Sequence, residues 1–516
     1  MIGEFKNEPL VDFSKEENVK KMEKAIEEIE KNYGKEYPMI INGERVYAKE
    51  KFKSINPSEK DKVVGLFQRA DEQLAEKALE AALERFETWK RQSPEKRAEL
   101  LFKAANIMRK RRFELAAQMV IEVGKNWVEA DADVAEAIDF CEFYGREMLR
   151  YAEPQPLVKI PTEENELFYI PLGVVVVIPP WNFPMAILTG MTVAAVVTGN
   201  TVVLKPSSDA PATAYKFMEV MEEAGMPEGV VNLVTGPGSI AGEYLVKHPK
   251  TRMIAFTGSK EVGLRIVENA GKTVPGQIWI KRVIAEMGGK DFIIVDSEAD
   301  LDMAVEGVII SAYGFQGQKC SACSRAIVLE DVYDQFLERL VERAKKITVG
   351  PAKYKDNFMG PVINEAAFQK IMHYIEIGKK EGELILGGEP GESYGYYIKP
   401  TIFKDVDPKA TIAQEEIFGP VLAVIKAKDF DEAIKIANDT EYGLTGSVYS
   451  KNKEKLKIAR DELFVGNLYF NRKCTGALVG VHPFGGFNMS GTDSKAGGRD
   501  YLLLFLQAKS VSAVKI

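Results

Sequence analysis

One cysteine of the chain lies among residues that favour nucleophilic chemistry. Cys320 stands in the segment Gly-Gln-Lys-Cys-Ser-Ala-Cys, and the ammonium group of Lys319 beside it would favour the thiolate, the reactive form. A single cysteine is ordinarily a small buried residue, but the small and polar neighbours of Cys320 argue against that role. The Cys-x-x-Cys spacing to Cys323 leaves a redox dithiol or half of a zinc site open. Because no second cysteine pair or nearby histidine accompanies it, packing is the simpler interpretation of Cys323.

A carboxylate and an amide follow predicted strands and supply other groups that a thiol nucleophile needs. Glu286 ends a β-rich run before a Gly-Gly pair, so its carboxylate is a candidate general base. Asn182 lies in the stiff segment Pro-Pro-Trp-Asn-Phe-Pro, where its amide could donate to an oxyanion. Taken singly, Glu286 could equally be a solvated loop residue and Asn182 a turn residue.

Histidine is scarce in the chain, which has His248, His373 and His482. This scarcity argues against a Ser-His or Cys-His triad and against a His-rich metal site. We therefore expect a carboxylate as the base and predict no metal.

Several residues at predicted strand ends could bind a nucleotide. Gly258 and Ser259 lie in Phe-Thr-Gly-Ser, and a glycine turn that opens a helix can hold a pyrophosphate on its N–H groups. Gly263 follows five residues after Gly258, but the spacing is not the Gly-x-Gly-x-x-Gly of the general dinucleotide fingerprint. Lys205 ends another strand, where its ammonium could meet ribose or phosphate oxygens. Gly236 lies in Gly-Pro-Gly, for which a simple turn is the default interpretation.

Two series of alternating strands and helices must position these residues, which predicts an α/β fold. Right-handed crossovers make the first series a parallel sheet with helices on both faces, and ligands bind beyond the carboxyl ends of such strands. A second α/β series starts near Asp291, and no low-complexity linker separates the two, so we expect a cleft between them. The predicted strands of the first series are 173–178, 201–205, 230–234, 252–256 and 282–286.

The first fifty residues predict a helix and a hairpin ahead of these series. Ser14 and Glu17 form a candidate capping box before a helical apolar stripe. Asn42 and Gly43 between apolar runs predict a tight hairpin turn. Further along the chain, Ser93 followed by Pro94 predicts the N-cap and the first position of another helix.

Composition excludes several classes of protein. The 516 residues predict two or three domains, and 68 basic against 76 acidic residues give a net charge of −8, so nucleic acid and anionic membranes are not expected partners. Four cysteines are too few for a disulfide framework and favour a reducing compartment. The N-terminus lacks the features of a secretory signal or transit peptide, and the longest apolar runs end in proline. We expect a cytoplasmic protein.

Seven motifs in a fixed order resemble the aldehyde dehydrogenase superfamily from about residue 36 to the C-terminus. They are Pro-Trp-Asn-Phe-Pro, Leu-Lys-Pro-Ser, Phe-Thr-Gly-Ser, Glu-Met-Gly-Gly-Lys, Gly-Gln-Lys-Cys, Glu-Glu-Ile-Phe-Gly-Pro and Pro-Phe-Gly-Gly. The resemblance implies a Rossmann-like NAD(P)-binding domain from residues 1–149 and 171–286 and an α/β catalytic domain from 287–494. It also implies a strand arm from 150–170 and 495–516 that joins subunits into a dimer or a dimer-based homo-oligomer.

The resemblance also implies catalytic roles. Cys320 would attack an aldehyde to give a thiohemiacetal and then a thioester. Glu286 would activate Cys320 or the water that hydrolyses the thioester. The amide of Asn182 and the backbone N–H of Cys320 would form the oxyanion hole. Because Glu286 is present, hydrolysis is favoured over transfer to coenzyme A.

The cofactor implied by the resemblance is NAD. Lys205 would bind the adenosine ribose, Ser259 the pyrophosphate, and Glu416 the nicotinamide ribose, with Phe418 beside the nicotinamide. Many NAD-restricted members carry glutamate where this chain has Ser208, and serine would not repel a 2′-phosphate. We therefore expect that NAD is preferred and NADP is tolerated. The other residues implied in this site are Pro179, Trp181, Gly236, Gly258 and Gly263.

Within the superfamily, the extended segments around Cys320 and before Pro-Phe-Gly-Gly resemble the group that acts on L-glutamate 5-semialdehyde, the open form of 1-pyrroline-5-carboxylate. The α-carboxylate of such a substrate would meet the N–H groups of Gly476 and Ala477 and the hydroxyl of Ser321, and Lys319 could add positive charge. The ammonium group would meet Glu136, unless that residue is simply a solvated helix residue. Lys319 could instead only tune the thiolate. The aliphatic middle would lie between two aromatic rings, those of Phe183 and Phe487.

The expected reaction is oxidation of L-glutamate 5-semialdehyde by NAD⁺ and water to L-glutamate, in the breakdown of proline and arginine. Two alternatives stay open from the sequence. One is a dehydrogenase for another semialdehyde, such as succinic semialdehyde, and the other is a catalytically silent structural protein of the same fold. The chain carries no preceding proline dehydrogenase domain, so we expect the monofunctional form, and the sequence leaves open whether a separate proline dehydrogenase is a partner.

Overall fold

The structure is a computed structural model that describes residues 3–515. The helices and strands alternate through most of this range. The helices are α1 (Glu16–Glu30), α2 (Glu72–Trp89), α3 (Pro94–Lys110), α4 (Arg112–Val123), α5 (Trp127–Ala152), α6 (Ala186–Val197), α7 (Pro211–Glu223), α8 (Glu243–Lys247), α9 (Lys260–Gly271), α10 (Leu301–Tyr313), α11 (Tyr333–Ala344), α12 (Glu365–Glu381), α13 (Thr411–Gln414), α14 (Phe430–Asn438) and α15 (Lys453–Glu462).

The strands are mostly short and buried. They are β1 (Glu36–Tyr37), β2 (Met39–Ile41), β3 (Glu44–Val46), β4 (Lys51–Ile55), β5 (Val63–Gln68), β6 (Glu163–Pro171), β7 (Val174–Ile178), β8 (Thr201–Leu204), β9 (Val231–Leu233), β10 (Met253–Thr257), β11 (Arg282–Glu286), β12 (Asp291–Val295), β13 (Cys323–Leu329), β14 (Glu383–Leu386), β15 (Thr401–Lys404), β16 (Val421–Ala427), β17 (Tyr442–Gly443), β18 (Thr445–Tyr449), β19 (Asn467–Phe470), β20 (Phe487–Asn488) and β21 (Leu506–Val514).

The first large sheet has the order β11-β10-β7-β8-β9-β2-β3. Its first five strands pair in parallel, and they are the five strands predicted from the sequence, so the parallel α/β sheet is confirmed. The hairpin of β2 and β3 extends the sheet antiparallel to β9. Asn42 (φ 51°) and Gly43 (φ 78°) form its turn, as predicted, with the positive φ angles that a tight hairpin turn requires.

The second large sheet has the order β14-β15-β16-β13-β12-β18-β19 and is parallel except at β14. The first sheet ends in the chain at Glu286 and the second begins at Asp291, so only the segment Met-Gly-Gly-Lys joins them. The domain boundaries given above stay predictions.

A two-stranded antiparallel ribbon of β6 and β21 stands apart from both sheets. Side chains of β21 are mostly exposed, including Val511 and Val514. An isolated two-stranded ribbon is marginally stable in water, so this ribbon needs a surface to cover it. Helix α5 continues to Ala152, inside the range 150–170 predicted for the arm.

The N-terminal helix starts later than its capping motif predicts. The Ser14 hydroxyl donates to Asp12 Oδ1 at 2.6 Å instead of capping the helix, and α1 begins at Glu16 without a side-chain cap. The predicted capping box is therefore wrong. By contrast, Ser93 caps α3 as predicted by accepting the N–H of Lys96.

The carboxyl ends of four parallel strands bring the predicted residues to one edge of the first sheet. Asn182 follows β7, Lys205 follows β8, Ser259 follows β10, and Glu286 ends β11. Thr257 and Glu286 are register partners on adjacent strands.

Among the helices of residues 3–515, none combines the length and the apolar character that a bilayer crossing needs.

Candidate active site

An apolar cavity and a cleft at the strand ends share Cys320 in their walls. The apolar cavity, with an empty volume of about 910 Å³, has Glu136, Phe183, Ile187, Cys320, Gly476 and Phe484 in its wall. The strand-end cleft, of about 1490 Å³, has Pro179, Lys205, Ser259, Cys320, Glu416 and Phe418 in its wall. A group bound in the cleft and a group bound in the cavity would therefore meet at the Cys320 thiol.

The loop before Cys320 is held in an unusual backbone conformation. Phe315 (φ 47°), Gln316 (φ 58°) and Gly317 (φ 68°) have positive φ angles. A Cβ atom on Gly317 would lie 2.3 Å from the carbonyl oxygen of Gly419, so only glycine fits. The Gln316 amide donates to the carbonyls of Gly124 (3.0 Å) and Pro361 (2.8 Å), which fixes the loop. The backbone strain persists because surrounding contacts over-determine this conformation.

The Cys320 thiol is in surroundings that favour its neutral form. Desolvation raises the pKa of Cys320, and the carboxylates of Asp291, Glu416 and Glu286 raise it further. Lys319 does not lower this pKa as the sequence suggested, because its ammonium donates to Glu129 Oε1 at 2.7 Å. Attack by Cys320 therefore needs a base that removes the thiol proton.

Glu286 lies in the wall of the apolar cavity at the end of β11 and is 9% exposed. It accepts hydrogen bonds from the Ser494 hydroxyl and, at 3.4 Å, from the N–H of Gly486. Burial raises the pKa of Glu286 to about 8, and the bonds from Ser494 and Gly486 offset part of that rise. Near neutral pH this carboxyl can therefore both accept and release a proton, as a general base must.

Asn182 connects the first sheet to the nucleophile loop. Its side-chain amide is 5% exposed and donates to the carbonyl of Gln318 at 3.0 Å, two residues before Cys320. The second N–H of the same amide is left for another acceptor. A role for Asn182 in an oxyanion hole stays a prediction.

The strand-end cleft fits the parts of a dinucleotide. The Lys205 ammonium is buried, and the only acceptor it reaches among the described residues is the carbonyl of Pro206 at 2.9 Å. Burial lowers the pKa of Lys205 to about 8, so ribose or phosphate oxygens would stabilise its charge. Glu416 uses one oxygen to accept the N–H of Gly289 at 3.0 Å, and its carboxylate can accept ribose hydroxyls.

The cleft also has aromatic and polar walls where the sequence predicted them. Trp181 packs edge-on against Phe418 with ring centroids 5.7 Å apart. Ser208 also lies in the wall and donates to the carbonyl of Gly236 at 3.2 Å. The predicted cofactor residues that line the cleft are Pro179, Trp181, Lys205, Ser208, Gly258, Ser259, Glu416 and Phe418.

Two predicted glycines do not line the cleft. A Cβ atom on Gly236 (φ 136°) would lie 2.9 Å from the N atom of Ala70, so this glycine shapes a turn behind the wall, and Gly238 lines the cleft instead. A Cβ atom on Gly263 would lie 2.5 Å from the sulfur of Met287, so this glycine lets α9 pack closely.

Five of the seven predicted substrate residues line the apolar cavity, and they are Glu136, Phe183, Ser321, Gly476 and Ala477. Lys319 is outside its wall, in the ion pair with Glu129. Phe487 is also outside and packs against Phe464 with centroids 5.0 Å apart. The sequence reasoning missed the apolar residues Phe140, Ile187 and Phe484, of which only Phe484 lay in a recognised motif.

Burial dominates the electrostatics of Glu136. Desolvation raises the pKa of Glu136 to about 8, and the nearby carboxylates of Asp133 and Asp139 add to the rise. A bound ammonium group would favour the carboxylate form. Glu136 is therefore a half-buried acid in the wall of the cavity, not a fully solvated helix residue. Within residues 3–515, no group of three or more His, Cys, Asp or Glu side chains is arranged to hold a metal ion.

Comparison with known proteins identifies the family. The sequence matches the model of the aldehyde dehydrogenase family over residues 45–511. The chain belongs to this family. The resemblance found in the motifs, the α/β fold and the dehydrogenase class are confirmed.

Individual relatives within the family are similar over their whole length. The chain is 60% identical to a 1-pyrroline-5-carboxylate dehydrogenase of Geobacillus sp. (strain WCH70), with 99% of each chain covered. The crystal structure of 1-pyrroline-5-carboxylate dehydrogenase from Thermus with bound NAD matches with a TM-score of 0.98, 55% identity and full coverage of both chains. Proline utilization A of Bdellovibrio bacteriovorus matches with a TM-score of 0.98 and 48% identity, over 99% of this chain and 53% of that chain.

The raised pKa of Glu286 predicts a pH dependence. The active base is the carboxylate, so kcat for aldehyde oxidation should increase as pH rises through about 8 and then level off. We expect Glu286→Gln to lower kcat by about 10²–10⁴-fold and to remove this titration. Steady-state NADH formation between pH 6 and 9.5 measures both effects. Glu306→Gln, which removes only a surface ion pair with Arg343, is the control, and a Glu286→Gln enzyme with wild-type kcat would contradict the role.

Proposed function

We propose that this protein oxidises L-glutamate 5-semialdehyde, the open form of 1-pyrroline-5-carboxylate, to L-glutamate with NAD⁺ as the electron acceptor. The observation that carries the proposal is the apolar cavity. Its wall holds Cys320 and Glu286, which can react with an aldehyde. The same wall holds Glu136, Gly476 and Ala477, which can bind an ammonium and a carboxylate. Relatives named for this substrate match over nearly the whole chain.

The first step uses the thiol, the buried carboxylate and the amide. The sulfur of Cys320 bonds to the aldehyde carbon while Glu286 takes the thiol proton. The negative charge that develops on the aldehyde oxygen is stabilised by the free N–H of Asn182 and the backbone N–H of Cys320. Each such donor is worth about 10²–10³ in rate.

Oxidation and hydrolysis complete the reaction. A bound nicotinamide ring supplies the electron acceptor, and the acyl group is left as a thioester on Cys320. Glu286 first releases the thiol proton to solvent and then takes a proton from a water molecule whose oxygen bonds to the thioester carbon. The carbon–sulfur bond breaks, and the Cys320 thiolate takes this proton from Glu286. The product acid loses its own proton to solvent and leaves as the carboxylate.

The loop at Gly476 and Ala477 binds the α-carboxylate of the substrate. Carbonyl groups of this loop already accept hydrogen bonds from another side chain. The Arg472 guanidinium donates to the carbonyls of Thr475 (2.8 Å) and Gly476 (3.1 Å). Among the hydrogen bonds of residues 3–515, none uses the N–H of Gly476 or Ala477 as a donor. These two N–H groups and the Ser321 hydroxyl can therefore bind a carboxylate.

Loss of the Glu136 charge should lower the activity only with the substrate that carries an ammonium group. A hydrogen bond to a charged group contributes about 1.5–3 kcal/mol, so Glu136→Gln should lower kcat/KM for 1-pyrroline-5-carboxylate by about 10- to 150-fold. Activity with propanal should change by less than about threefold, because propanal has no ammonium group.

The measurement is NADH formation at 340 nm with 1-pyrroline-5-carboxylate, succinic semialdehyde and propanal. Cys320→Ala should be inactive with all three. A wild-type preference for succinic semialdehyde would overturn the proposed substrate, and sound folding without any turnover would favour the silent structural protein.

The position of Ser208 predicts the cofactor range. A serine in this part of the cleft wall leaves room for a 2′-phosphate and does not repel it, so NADP should be used more weakly than NAD. Ser208→Glu should lower the ratio of kcat/KM for NADP to that for NAD by at least about tenfold through charge repulsion. Ser208→Ala is the control and should leave the ratio nearly unchanged. Absence of any NADP turnover in the wild type would refute this interpretation of Ser208.

The ribbon of β6 and β21 supports a dimer or a dimer-based homo-oligomer. Its exposed apolar side chains include Phe168, Val511 and Val514, which a second subunit would cover. A separate proline dehydrogenase stays a proposed partner. The cytoplasmic location stays a prediction.

Removal of the end of β21 should abolish the oligomer. Deletion of residues 507–516 removes the paired strand and keeps the Phe505 carbonyl that accepts from Asn200. We expect a folded monomer by light scattering coupled to size-exclusion chromatography, with an unchanged circular dichroism spectrum. A truncated protein that still forms the wild-type oligomer would show that another surface holds the subunits together.

A further inference from the structure

An irregular segment at the N-terminus, residues 3–13, runs along helix α5 before α1 begins, and we call it the strap. The strap lies ahead of residue 45, where the match to the family model begins. The relatives named for 1-pyrroline-5-carboxylate match over 99% of this chain, a span too long to omit it. The strap is therefore shared with these relatives but lies outside the region that the general family model covers.

One side chain of the strap reaches the wall of the apolar cavity. The Asn7 Nδ2 group donates to the carbonyl of Val479 at 2.9 Å and to Asp139 Oδ2 at 2.8 Å. An amide nitrogen has two hydrogens, so these bonds use both. Val479 is 4% exposed and lines the cavity, two residues after Ala477. Asn7 thus joins the substrate-binding loop to helix α5.

A second strap residue packs under the same loop. The Phe5 ring lies edge-on to Phe143 of α5, with ring centroids 5.2 Å apart. A Cβ atom on Gly480 would lie 3.1 Å from Phe5 and 3.0 Å from Phe143, so the loop backbone rests against both rings. Phe5 therefore supports the residue that follows Val479.

The strap itself is fixed to α5. The N–H of Glu8 donates to Asp139 Oδ1 at 2.7 Å, and the N–H of Val11 donates to Asp131 Oδ2 at 2.8 Å. Arg112 donates to both oxygens of the buried Asp131, at 2.5 and 2.8 Å. The strap is thus held along its length and can transmit this order to the loop.

We propose that the strap sets substrate specificity, with Asn7 as a positioning residue that holds the 476–479 loop ready for the α-carboxylate. The proposal rests on the proposed function. A loop that is already ordered loses less conformational entropy when it binds a ligand, so the substrate binds more tightly. An aldehyde without a carboxylate does not use this loop and gains nothing from the order.

The test compares two substrates in each of several variants. Asn7→Ala removes both hydrogen bonds, which should raise KM for 1-pyrroline-5-carboxylate and lower its kcat/KM by about three- to tenfold. The kcat/KM for propanal should stay within about twofold of the wild type. The ratio of the two values does not depend on the fraction of folded enzyme, so a less stable variant still gives an answer.

A matched control lies in the same part of the chain. The Asn32 amide donates to the carbonyl of Glu28 at 2.8 Å on an exposed surface outside the strap. Asn32→Ala removes a side-chain amide bond to a carbonyl and should leave the substrate ratio unchanged. Asn7→Asp, which replaces the donor by a carboxylate facing Asp139, should lower the ratio at least as much as Asn7→Ala.

The outcomes separate the inference from the proposed function. A wild-type preference for 1-pyrroline-5-carboxylate that survives intact in Asn7→Ala would overturn the role of the strap and leave the proposed function standing. A drop in the ratio for both Asn7→Ala and Asn32→Ala would also overturn it, because the effect would not be specific to the loop contact. A wild type without this preference would refute the proposed function, and the inference with it.

Discussion

The hydrogen bond from the Asn182 amide to the Gln318 carbonyl is the contact on which the site depends. It joins the carboxyl end of β7 in the first sheet to the nucleophile loop before β13 in the second sheet. The amide that can stabilise the oxyanion and the sulfur that creates it are therefore fixed to one another. Gln316 and Gly317 restrict the nucleophile loop further, because their positive φ angles leave its backbone few other conformations.

Desolvation sets the charge states around this contact. Burial raises the pKa values of Glu286 and Glu136 to about 8 and lowers that of Lys205 to about 8. Each of these groups lies in the wall of the cavity or the cleft. Each forms fewer hydrogen bonds within the protein than its polar atoms can form. A substrate ammonium, a reacting proton or a cofactor oxygen would supply the missing partner, so the site is arranged for ligands with these charges.

Helix α5 connects the cavity with the N-terminal strap. Glu136 faces the cavity, while Asp131 and Asp139 accept hydrogen bonds from the strap. The same helix thus supplies a carboxylate of the cavity wall and the anchor of a segment that also contacts Val479 in that wall. The cavity wall and the strap that contacts it therefore come from opposite ends of the chain.

The sequence by itself determined the elements and most of the reacting groups. Strand periodicity, the Asn-Gly turn at 42–43 and the Ser93 cap depend on neighbours in the chain, so they were predictable. Only the tertiary structure decided which charges pair and which rings face the cavity. Lys319 pairs with Glu129, and Phe487 packs on Phe464. These outcomes depend on competing partners brought together by folding, and local spacing carries no information about that competition.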